Sequence, residues 1–244
     1  MNLTIDIGNT RTKLGFFHGD TLVSKEIVEH LSIESVESFL YNHPVSNCIL
    51  SSVGESDPAV LEYLGAETVF VELTADTPLP IENQYTTPKT LGKDRLAAAV
   101  GAGVLFPGKT CLVIDAGTCI TCDLLSDTGI FLGGNISPGV DMRLKAMHSF
   151  TARLPLIGRG DMEHWIGTST ETALRNGAQW GALWELTALI DHCQTQFGEV
   201  VVVLTGGDAD FFVKNLKREI FANPDLVLIG LNKILNHYVA SHSI

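Results

Sequence analysis

The sequence predicts an α/β protein built from two similar halves, and three observations support this prediction. Short apolar stretches bounded by turn residues alternate with longer amphipathic stretches, which predicts strands alternating with helices. An apolar strand that ends in aspartate and runs into a glycine turn occurs twice, at Asp6 and at Asp115. Each occurrence leads into two further strands joined by short turns. We therefore expect mixed sheets flanked by helices, in halves at residues 1–106 and 107–244 that face each other across a cleft.

The first half is predicted to begin with three strands joined by tight turns, followed by helix, strand, helix and strand. In the second of these helices Asp57 is the N-cap, Pro58 takes the first helical position and Gly65 lies past the end. A polar loop with several prolines and a long helix complete the half. The predicted segments are Leu3–Asp6, Thr12–His18, Thr21–Ile27, Ser32–Tyr41, Cys48–Ser51, the helix from Asp57, Thr68–Leu73, the loop Thr74–Lys89, and Leu91–Phe106.

The second half repeats the three-strand start and then becomes mainly helical. The longest helix is predicted to end at Gly198, and a Gly-Gly turn follows the next strand before two further helices. The predicted segments are Cys111–Asp115, Cys119–Leu125, Ile130–Ile136, Val140–His148, Thr170–Phe197 and Val200–Thr205.

Composition excludes several classes of function. The formal net charge is -12 and no Lys/Arg run offsets it, so binding to nucleic-acid phosphates is not expected. Apolar stretches such as Val200–Leu204 fall far short of the roughly 20 residues of a membrane span. Charged and polar residues interrupt the first apolar stretch, so no signal peptide is expected. Five cysteines do not suggest a disulfide framework, and the predicted compartment is the cytoplasm.

Cys119 and Cys122 form a C-x-x-C pair that could indicate a metal or redox site. They lie in a predicted strand, where residues three apart point to opposite faces. No second cysteine pair or suitably spaced histidine pair accompanies them. We therefore expect no metal or redox role for the pair.

The first glycine turn carries residue types that suit a metal-bound nucleotide. Asp6 ends an apolar strand, Gly8 permits close approach of backbone amides to an anion, and Lys13 returns on the next strand. A carboxylate for the metal, with amides and a lysine for phosphate oxygens, is what such a ligand requires. An ordinary hairpin turn would also favour Asp, Gly and Asn. The second turn, Asp115-Ala116-Gly117-Thr118, repeats the arrangement and favours the functional interpretation, with Thr121 matching Thr12.

Four further segments have residue types that suit a binding site, a turn or a helix cap. The turn Thr205–Ala209 could let a base and ribose approach the backbone, although the Gly-Gly pair by itself favours a simple strand-to-helix turn. Gly92, Asp94 and Arg95 open a helix, where Asp94 could act as general base and Arg95 could pair with a carboxylate. An ordinary first helical turn is the alternative. The segment 133–139 is predicted to be a structural turn whose glycines permit close approach of another element, and Ser169 or Thr168 caps the longest helix.

Taken together, these motifs resemble the type III pantothenate kinases, which have an actin-like, ribonuclease H-like duplicated fold. The most specific parts are D-I-G-N-T-R-T-K at 6–13, Y-x6-G-K-D-R at 85–95, D-A-G-T at 115–118 and G-G-N-I-S-P-G at 133–139. Their order and spacing restrict the match far more than any single motif does.

The resemblance implies a role for each motif residue. Asp94 would be the catalytic base, Asp115 would bind K⁺ or NH₄⁺, and Asp6 would bind Mg²⁺ through water. The family works as a homodimer, so Thr170 would touch pantothenate held mainly by the neighbouring subunit. The implied ATP-binding residues are Asp6, Ile7, Gly8, Asn9, Thr10, Arg11, Thr12, Lys13 and Thr118, and the implied pantothenate-binding residues are Tyr85, Gly92, Lys93, Asp94, Arg95 and Thr170.

The resemblance implies ATP-dependent phosphorylation of pantothenate, the first step of coenzyme A biosynthesis. Two alternatives remain open at the level of sequence. One is another small-molecule kinase of the same fold, acting on a sugar or a carboxylate. The other is a regulator that binds nucleotide without transferring phosphate.

Overall fold

The computed structural model describes residues 1–54, 56–162 and 164–242. Packing divides the chain into two compact units. The first unit comprises Met1–Lys109, Leu125–Gly133 and Asp225–Ile244, and the second comprises Thr110–Leu124 and Gly134–Pro224. The break after Lys109 lies close to the expected boundary between residues 106 and 107, whereas the last helix packs within the first unit. The expected halves describe a repeated order of elements, and the compact units describe packing.

The first sheet has five strands in the order β3-β2-β1-β4-β5. Strand β2 is antiparallel to β1 and β3, while β4 is parallel to both β1 and β5. The sheet is therefore mixed, as the sequence predicts. Its strands are β1 (Asn2–Ile7), β2 (Thr12–His18), β3 (Thr21–Val28), β4 (Asn47–Ser52) and β5 (Val69–Glu72).

The second sheet has six strands in the order β11-β10-β7-β8-β9-β6. Without β6 and taken from the other end, this order is β9-β8-β7-β10-β11. It matches the order of the first sheet, with β7 to β11 in the places of β1 to β5. Strands β7, β10 and β11 are parallel to their neighbours in that series, as β1, β4 and β5 are. The repeated order confirms the predicted duplication. The strands are β6 (Glu82–Asn83), β7 (Thr110–Ala116), β8 (Cys119–Leu125), β9 (Ile130–Pro138), β10 (Val200–Thr205) and β11 (Phe221–Ala222).

Seven α-helices lie within the described residues, together with one 3₁₀ turn at Pro88–Thr90. Asp57 caps α2 through Ala59 N–H, as predicted. The predicted end at Gly65 is wrong, because α2 continues to Glu67 and Gly65 has no left-handed backbone that would stop a helix. The helices are α1 (Ile33–Asn42), α2 (Pro58–Glu67), α3 (Lys93–Leu105), α4 (Val140–Ser149), α5 (Thr170–Phe197), α6 (Ala209–Asn215) and α7 (Leu226–Ser241).

The two faces of the first sheet pack against different helices. Leu3 and Ile5 of β1 belong to the core that includes residues of α1 and α2. The alternate residues of β1 point to the opposite face, where Asn2 donates to Asn232 of α7 at 2.9 Å. Helix α3 packs closely on α7, because a side chain on Gly230 would overlap the Ala97 carbonyl. The small residues of α3 therefore permit this close packing.

The core of the second unit lies between its strands and its longest helix. Ile114 of β7 and Leu204 of β10 are fully buried in a cluster with Leu186 and Ile190 of α5. Burial of this kind contributes about 25 cal/mol per Å² of apolar surface. Buried residues recur about every four positions along α5 and hold one face of the helix against β7 and β10.

Two segments differ from prediction. The loop Thr74–Lys89 contains β6, whose Glu82 pairs with Ile130 of β9, and the 3₁₀ turn. Residues 133–138 belong to β9, which confirms the predicted strand Ile130–Ile136 and corrects the interpretation of 133–139 as a turn. The error at β6 arises because pairing with a neighbouring strand can order a short segment that has no strand pattern of its own. The glycines there do serve close approach, because a side chain on Gly134 would overlap the Cys122 carbonyl.

No helix in the described part of the chain combines the length and the hydropathy required to cross a membrane.

Candidate functional site

The first acidic turn joins β1 to β2. Asp6 is buried near the end of β1, and the Gly8 N–H donates to the Arg11 carbonyl at 3.1 Å to close the turn. Asn9, Thr10 and Arg11 are exposed at the tip. The turn therefore presents backbone and side-chain donors to solvent beside a buried carboxylate, as phosphate binding requires.

Asp6 has an in-register neighbour on each side. Lys13 of β2 is its antiparallel partner, and Ser51 of β4 is its parallel partner. Paired residues share a face of the sheet, so the three side chains project to the same side at the carboxyl end of β1. The structure thus brings the predicted pair Asp6 and Lys13 together and adds Ser51, which the sequence analysis missed.

The start of α3 lies at this same edge of the first sheet. Lys93 forms an ion pair with Glu72, with 3.5 Å between Nζ and Oε1. Glu72 ends β5 and pairs with Leu50 of β4, next to Ser51. The first turn of α3 is therefore close to the carboxyl ends of the parallel strands, where α/β sheets bind their ligands.

Asp94 is held in the first turn of α3. Its Oδ1 accepts a hydrogen bond from the Arg95 N–H at 2.9 Å, and the side chain is partly exposed. Gly92 is the N-cap residue, and a Cβ built on it would lie 2.6 Å from Asp94 Oδ1. The glycine leaves space for the carboxylate. Gly92 and Asp94 thus have the close relation that their predicted roles require.

Tyr85 and Arg95 meet through the face of the tyrosine ring. The guanidinium carbon of Arg95 lies 5.6 Å from the ring centre, a distance at which a cation and an aromatic ring attract each other. Gly133 packs on the other part of this ring, since its Cβ would lie 3.4 Å from Tyr85 Cδ2. The structure therefore brings together the predicted substrate residues at 85 and 92–95 within the first unit.

The second acidic turn lies in the second unit and closes differently. Gly117 N–H donates to the Cys119 carbonyl at 2.9 Å, so this turn is one residue tighter than the turn at Gly8. The predicted match of Thr12 with Thr121 is therefore wrong, and the structural likeness ends at the glycine. Gly139 N–H donates to the Thr118 carbonyl at 3.0 Å, so the start of α4 supports the turn.

The third glycine turn lies against the second aspartate. Gly206 has φ +97°, and a Cβ built on it would lie 2.5 Å from Asp115 Oδ1. Thr205 pairs in register with Asp115. The sequence singled out both turns but gave no reason to place them together.

Arg159 holds Asp208, the residue that follows the two glycines of this turn. Its Nη1 and Nη2 donate to the two carboxylate oxygens of Asp208 at 2.8 and 2.7 Å, and its Nε donates to Asp141 Oδ1 at 2.7 Å. Burial by itself would lower the pKa of Arg159, but the hydrogen bonds and charges of Asp208 and Asp141 raise it. The arginine therefore remains charged and ties the turn at Asp208 to α4, an interaction that the sequence analysis missed.

Thr170 is the first residue of α5 and is exposed. Ser169 caps the helix and forms a capping box with Thr172, as predicted for Ser169. A cavity of about 540 Å³ lies next to this helix start, lined by polar residues and by the exposed apolar residues Trp165 and Ile166.

Cys119 is partly buried and Cys122 is buried, a difference that residues on opposite strand faces should show. Burial raises the pKa of Cys111 to about 11. Among the described residues no group of three or more His, Cys, Asp or Glu could hold a metal ion without further ligands.

Comparison with known sequences gives one consistent result. The family model described as type III pantothenate kinase matches residues 2–192. A type III pantothenate kinase from Bacteroides fragilis is 45% identical over 238 residues, which cover 97% of this chain and 98% of that protein.

Solved structures resemble this chain in fold. A Campylobacter jejuni protein, provisionally described as a Baf family transcriptional activator, matches with a TM-score of 0.62 and 23% identity, covering 96% of this chain and 98% of that one. A glucokinase from an Antarctic psychrotroph matches with a TM-score of 0.52 and 13% identity, covering 97% and 98%. These likenesses, with the repeated strand order, confirm the predicted actin-like fold.

Proposed function

This chain belongs to the type III pantothenate kinase family, and we propose that it transfers the γ-phosphoryl group of ATP to the primary hydroxyl of pantothenate. The products are 4'-phosphopantothenate and ADP, which makes this the first step of coenzyme A biosynthesis. We place the reaction in the cytoplasm, because the five cysteines of the sequence do not suggest a disulfide framework.

One structural observation carries the proposal for catalysis. The Asp6 turn, Lys13 and the first turn of α3 all lie at the carboxyl edge of the first sheet. Phosphate donors and a candidate base for the acceptor alcohol therefore lie at the same edge. Phosphoryl transfer depends mainly on positioning and electrostatic stabilisation, so such an arrangement suits it.

In the proposed reaction Asp94 accepts the proton of the pantothenate hydroxyl. The hydroxyl oxygen then forms a bond to the γ-phosphorus while the bond from that phosphorus to the β,γ-bridging oxygen breaks. Lys13 stabilises negative charge on the phosphoryl oxygens, and the amides around Gly8 bind other phosphate oxygens. Thr118, in the second acidic turn, is also assigned to ATP binding. A positioned base contributes about 10²–10⁴-fold to such a rate.

The residues present fit the cations that the family implies. Asp6 and the neighbouring Ser51 hydroxyl supply hard oxygen atoms of the kind that Mg²⁺ prefers, and Asp115 does so for K⁺ or NH₄⁺. Mg²⁺ would supply charge neutralisation at the phosphates. Lys13, on the other side of Asp6, would add a fixed positive charge from the chain itself.

Recognition of pantothenate is proposed to depend on Tyr85 and Arg95. Arg95 is 5% exposed, and its guanidinium is oriented by the ring of Tyr85. An oriented guanidinium can bind a carboxylate through two parallel hydrogen bonds. Gly92 and Lys93 complete this part of the site, in which Lys93 is paired with Glu72.

We further propose that the chain forms a homodimer in which Thr170 reaches the substrate of the partner subunit. Trp165, Ile166 and Trp184 are 62%, 58% and 51% exposed near the start and first half of α5. Trp184 also stacks on Trp180, with 6.0 Å between the ring centres. An exposed aromatic cluster of this kind is typical of protein interfaces.

A coupled assay of ADP release tests the proposed function. Release should require pantothenate and should increase on addition of K⁺. Pantothenol, in which an alcohol replaces the carboxylate, should react poorly because an alcohol cannot accept two parallel charged hydrogen bonds from the Arg95 guanidinium. Equal turnover with sugars, or ATP hydrolysis that is independent of pantothenate, would contradict the proposal.

Sedimentation of the wild type and of Trp184→Glu tests the dimer, which the glutamate should weaken.

A further inference from the structure

Each strand-end aspartate has a buried hydroxyl beside it. Ser51 pairs in register with Asp6 in the first sheet, and Thr205 pairs in register with Asp115 in the second. The two residues are 0% and 1% exposed, and neither hydroxyl has a hydrogen-bond partner within the described residues. Since β4 and β10 hold the same place in the repeated strand order, one relation occurs twice.

A buried hydroxyl without a partner destabilises a folded protein. Alanine at position 51 or valine at position 205 would fill similar space and avoid that destabilisation. A buried hydroxyl without a hydrogen-bond partner occurs in both sheets, each time beside a carboxylate. This recurrence indicates a ligand that supplies the missing interaction. A hydroxyl oxygen is a hard ligand, and a hydroxyl next to a carboxylate suits a Group 1 or Group 2 cation.

We propose that the hydroxyls of Ser51 and Thr205 are direct cation ligands, Ser51 for the divalent ion at Asp6 and Thr205 for the monovalent ion at Asp115. This inference rests on the proposed function and assigns two ligands beyond the two aspartates. Each proposed site consists of residues from one sheet.

The surroundings of each aspartate support this assignment. Lys13 occupies the β2 side of Asp6, and repulsion between positive charges leaves the β4 side, where Ser51 lies, for a cation. In the second sheet the Gly206 backbone lies against Asp115 Oδ1, and Gly206 directly follows Thr205. The residue bonded covalently to Thr205 therefore contacts the Asp115 carboxylate, which places the hydroxyl and the carboxylate at the same turn.

The variants Ser51→Ala, Thr205→Val and Thr205→Ser test the proposal. The readout is the thermal unfolding midpoint in the presence of a non-hydrolysable ATP analogue. KCl is titrated at fixed Mg²⁺, with choline chloride to hold the ionic strength, and Mg²⁺ is titrated at fixed KCl. Cation binding to the folded state raises the midpoint with the logarithm of one plus the cation concentration divided by its Kd. A weaker site therefore requires more cation for the same rise, and the method requires no turnover.

We expect two selective shifts. Thr205→Val should raise the half-saturating K⁺ concentration about tenfold or more and leave the Mg²⁺ titration unchanged. Ser51→Ala should raise the half-saturating Mg²⁺ concentration by a similar factor and leave the K⁺ titration unchanged. Thr205→Ser keeps the hydroxyl and should titrate like the wild type. Neither Thr205→Val nor Ser51→Ala should unfold at lower temperature without added cations.

Three outcomes would overturn the inference in whole or in part. Titrations of Ser51→Ala and Thr205→Val that match the wild type would show that the hydroxyls bind no cation. Equal shifts of both titrations in either variant would indicate a general structural effect instead. If the unfolding midpoint of the wild type does not change with K⁺, the chain has no monovalent site and Thr205 is not a ligand of one. Pantothenate-dependent ADP release from the same preparation would then show separately whether the kinase function holds.

Discussion

The guanidinium carbon of Arg95 lies 5.6 Å from the centre of the Tyr85 ring, and the arginine is almost fully buried. The ring therefore orients a charge that has little freedom to turn elsewhere. This relation suggests that substrate recognition depends on the direction of the guanidinium as well as on its charge.

Arg95→Lys should raise the KM for pantothenate about tenfold or more, because an ammonium group cannot form two parallel hydrogen bonds to a carboxylate. Tyr85→Leu removes a cation–π contact of about 0.5–2 kcal/mol and should raise the same KM by roughly 2- to 30-fold. Tyr85→Phe keeps the ring and serves as the control. Steady-state kinetics that show Tyr85→Leu equal to the wild type would contradict this role for the ring.

Asp94→Asn should lower turnover by about 10²–10⁴-fold, since the amide cannot accept the substrate proton. The asparagine oxygen can still accept the Arg95 N–H, so the start of α3 should persist and the KM for ATP should change little. Asp127→Asn, in an exposed turn, is the matched control. Single-turnover kinetics would exclude a base role for Asp94 if the asparagine variant retained full speed.

Arg159→Ala should destabilise the fold by about 1–3 kcal/mol, because it leaves the partly buried carboxylate of Asp208 without its two charged hydrogen bonds. Arg218→Ala removes a more exposed pair with Asp191 and should change stability by less than about 1 kcal/mol. Urea unfolding of both variants gives the comparison. Equal free energies of unfolding would show that the Arg159 pair contributes no more than a surface pair.

Gly230→Ala should destabilise the fold by about 1–3 kcal/mol or more, since its methyl group would overlap the Ala97 carbonyl where α3 and α7 touch. Gly65→Ala meets open space inside α2 and should stabilise the protein by about 0.4–1 kcal/mol. Thermal unfolding measures both changes. A neutral Gly230→Ala variant would mean that the two helices can separate without loss.

The buried thiols predict a loss of stability at alkaline pH. Burial raises the pKa of Cys111 from 9.0 to about 11, so the folded protein retains a proton that the unfolded chain releases above pH 9. This contribution is complete below pH 9 and is lost as the pH rises towards 11. The free energy of unfolding of Cys111→Ala should therefore fall less steeply between pH 9 and 11. A parallel pH dependence in both proteins would refute the assignment.

Local patterns sufficed to predict most elements. The strands Thr12–His18, Cys119–Leu125 and Val200–Thr205 and the helix Thr170–Phe197 have the predicted limits, because alternation, helical spacing and caps are encoded in neighbouring residues. The strand at Glu82–Asn83 could not be predicted, since two residues carry no periodicity and only their pairing with β9 orders them.

The candidate site was predictable only where a motif contains it. Short motifs contain Asp6, Lys13 and Gly92–Arg95, and the residue types and spacing of these motifs indicate their chemistry. Ser51 stands in no motif, and Thr205 only opens a glycine turn that the sequence also explains as a strand-to-helix connection. Their importance follows from strand register, which places each beside an aspartate far away in sequence. The pairing of Arg159 with Asp208 was missed for the same reason.

The sequence by itself determined the repeated order of strands and helices, the two acidic turns and the membership of a kinase family. Only the tertiary structure decided which side chains share a sheet edge, how tightly each turn closes and which hydroxyls are buried beside the aspartates. The physical reason is that hydrogen bonding and periodicity act between neighbours in the chain, whereas register and packing join residues that the sequence keeps apart.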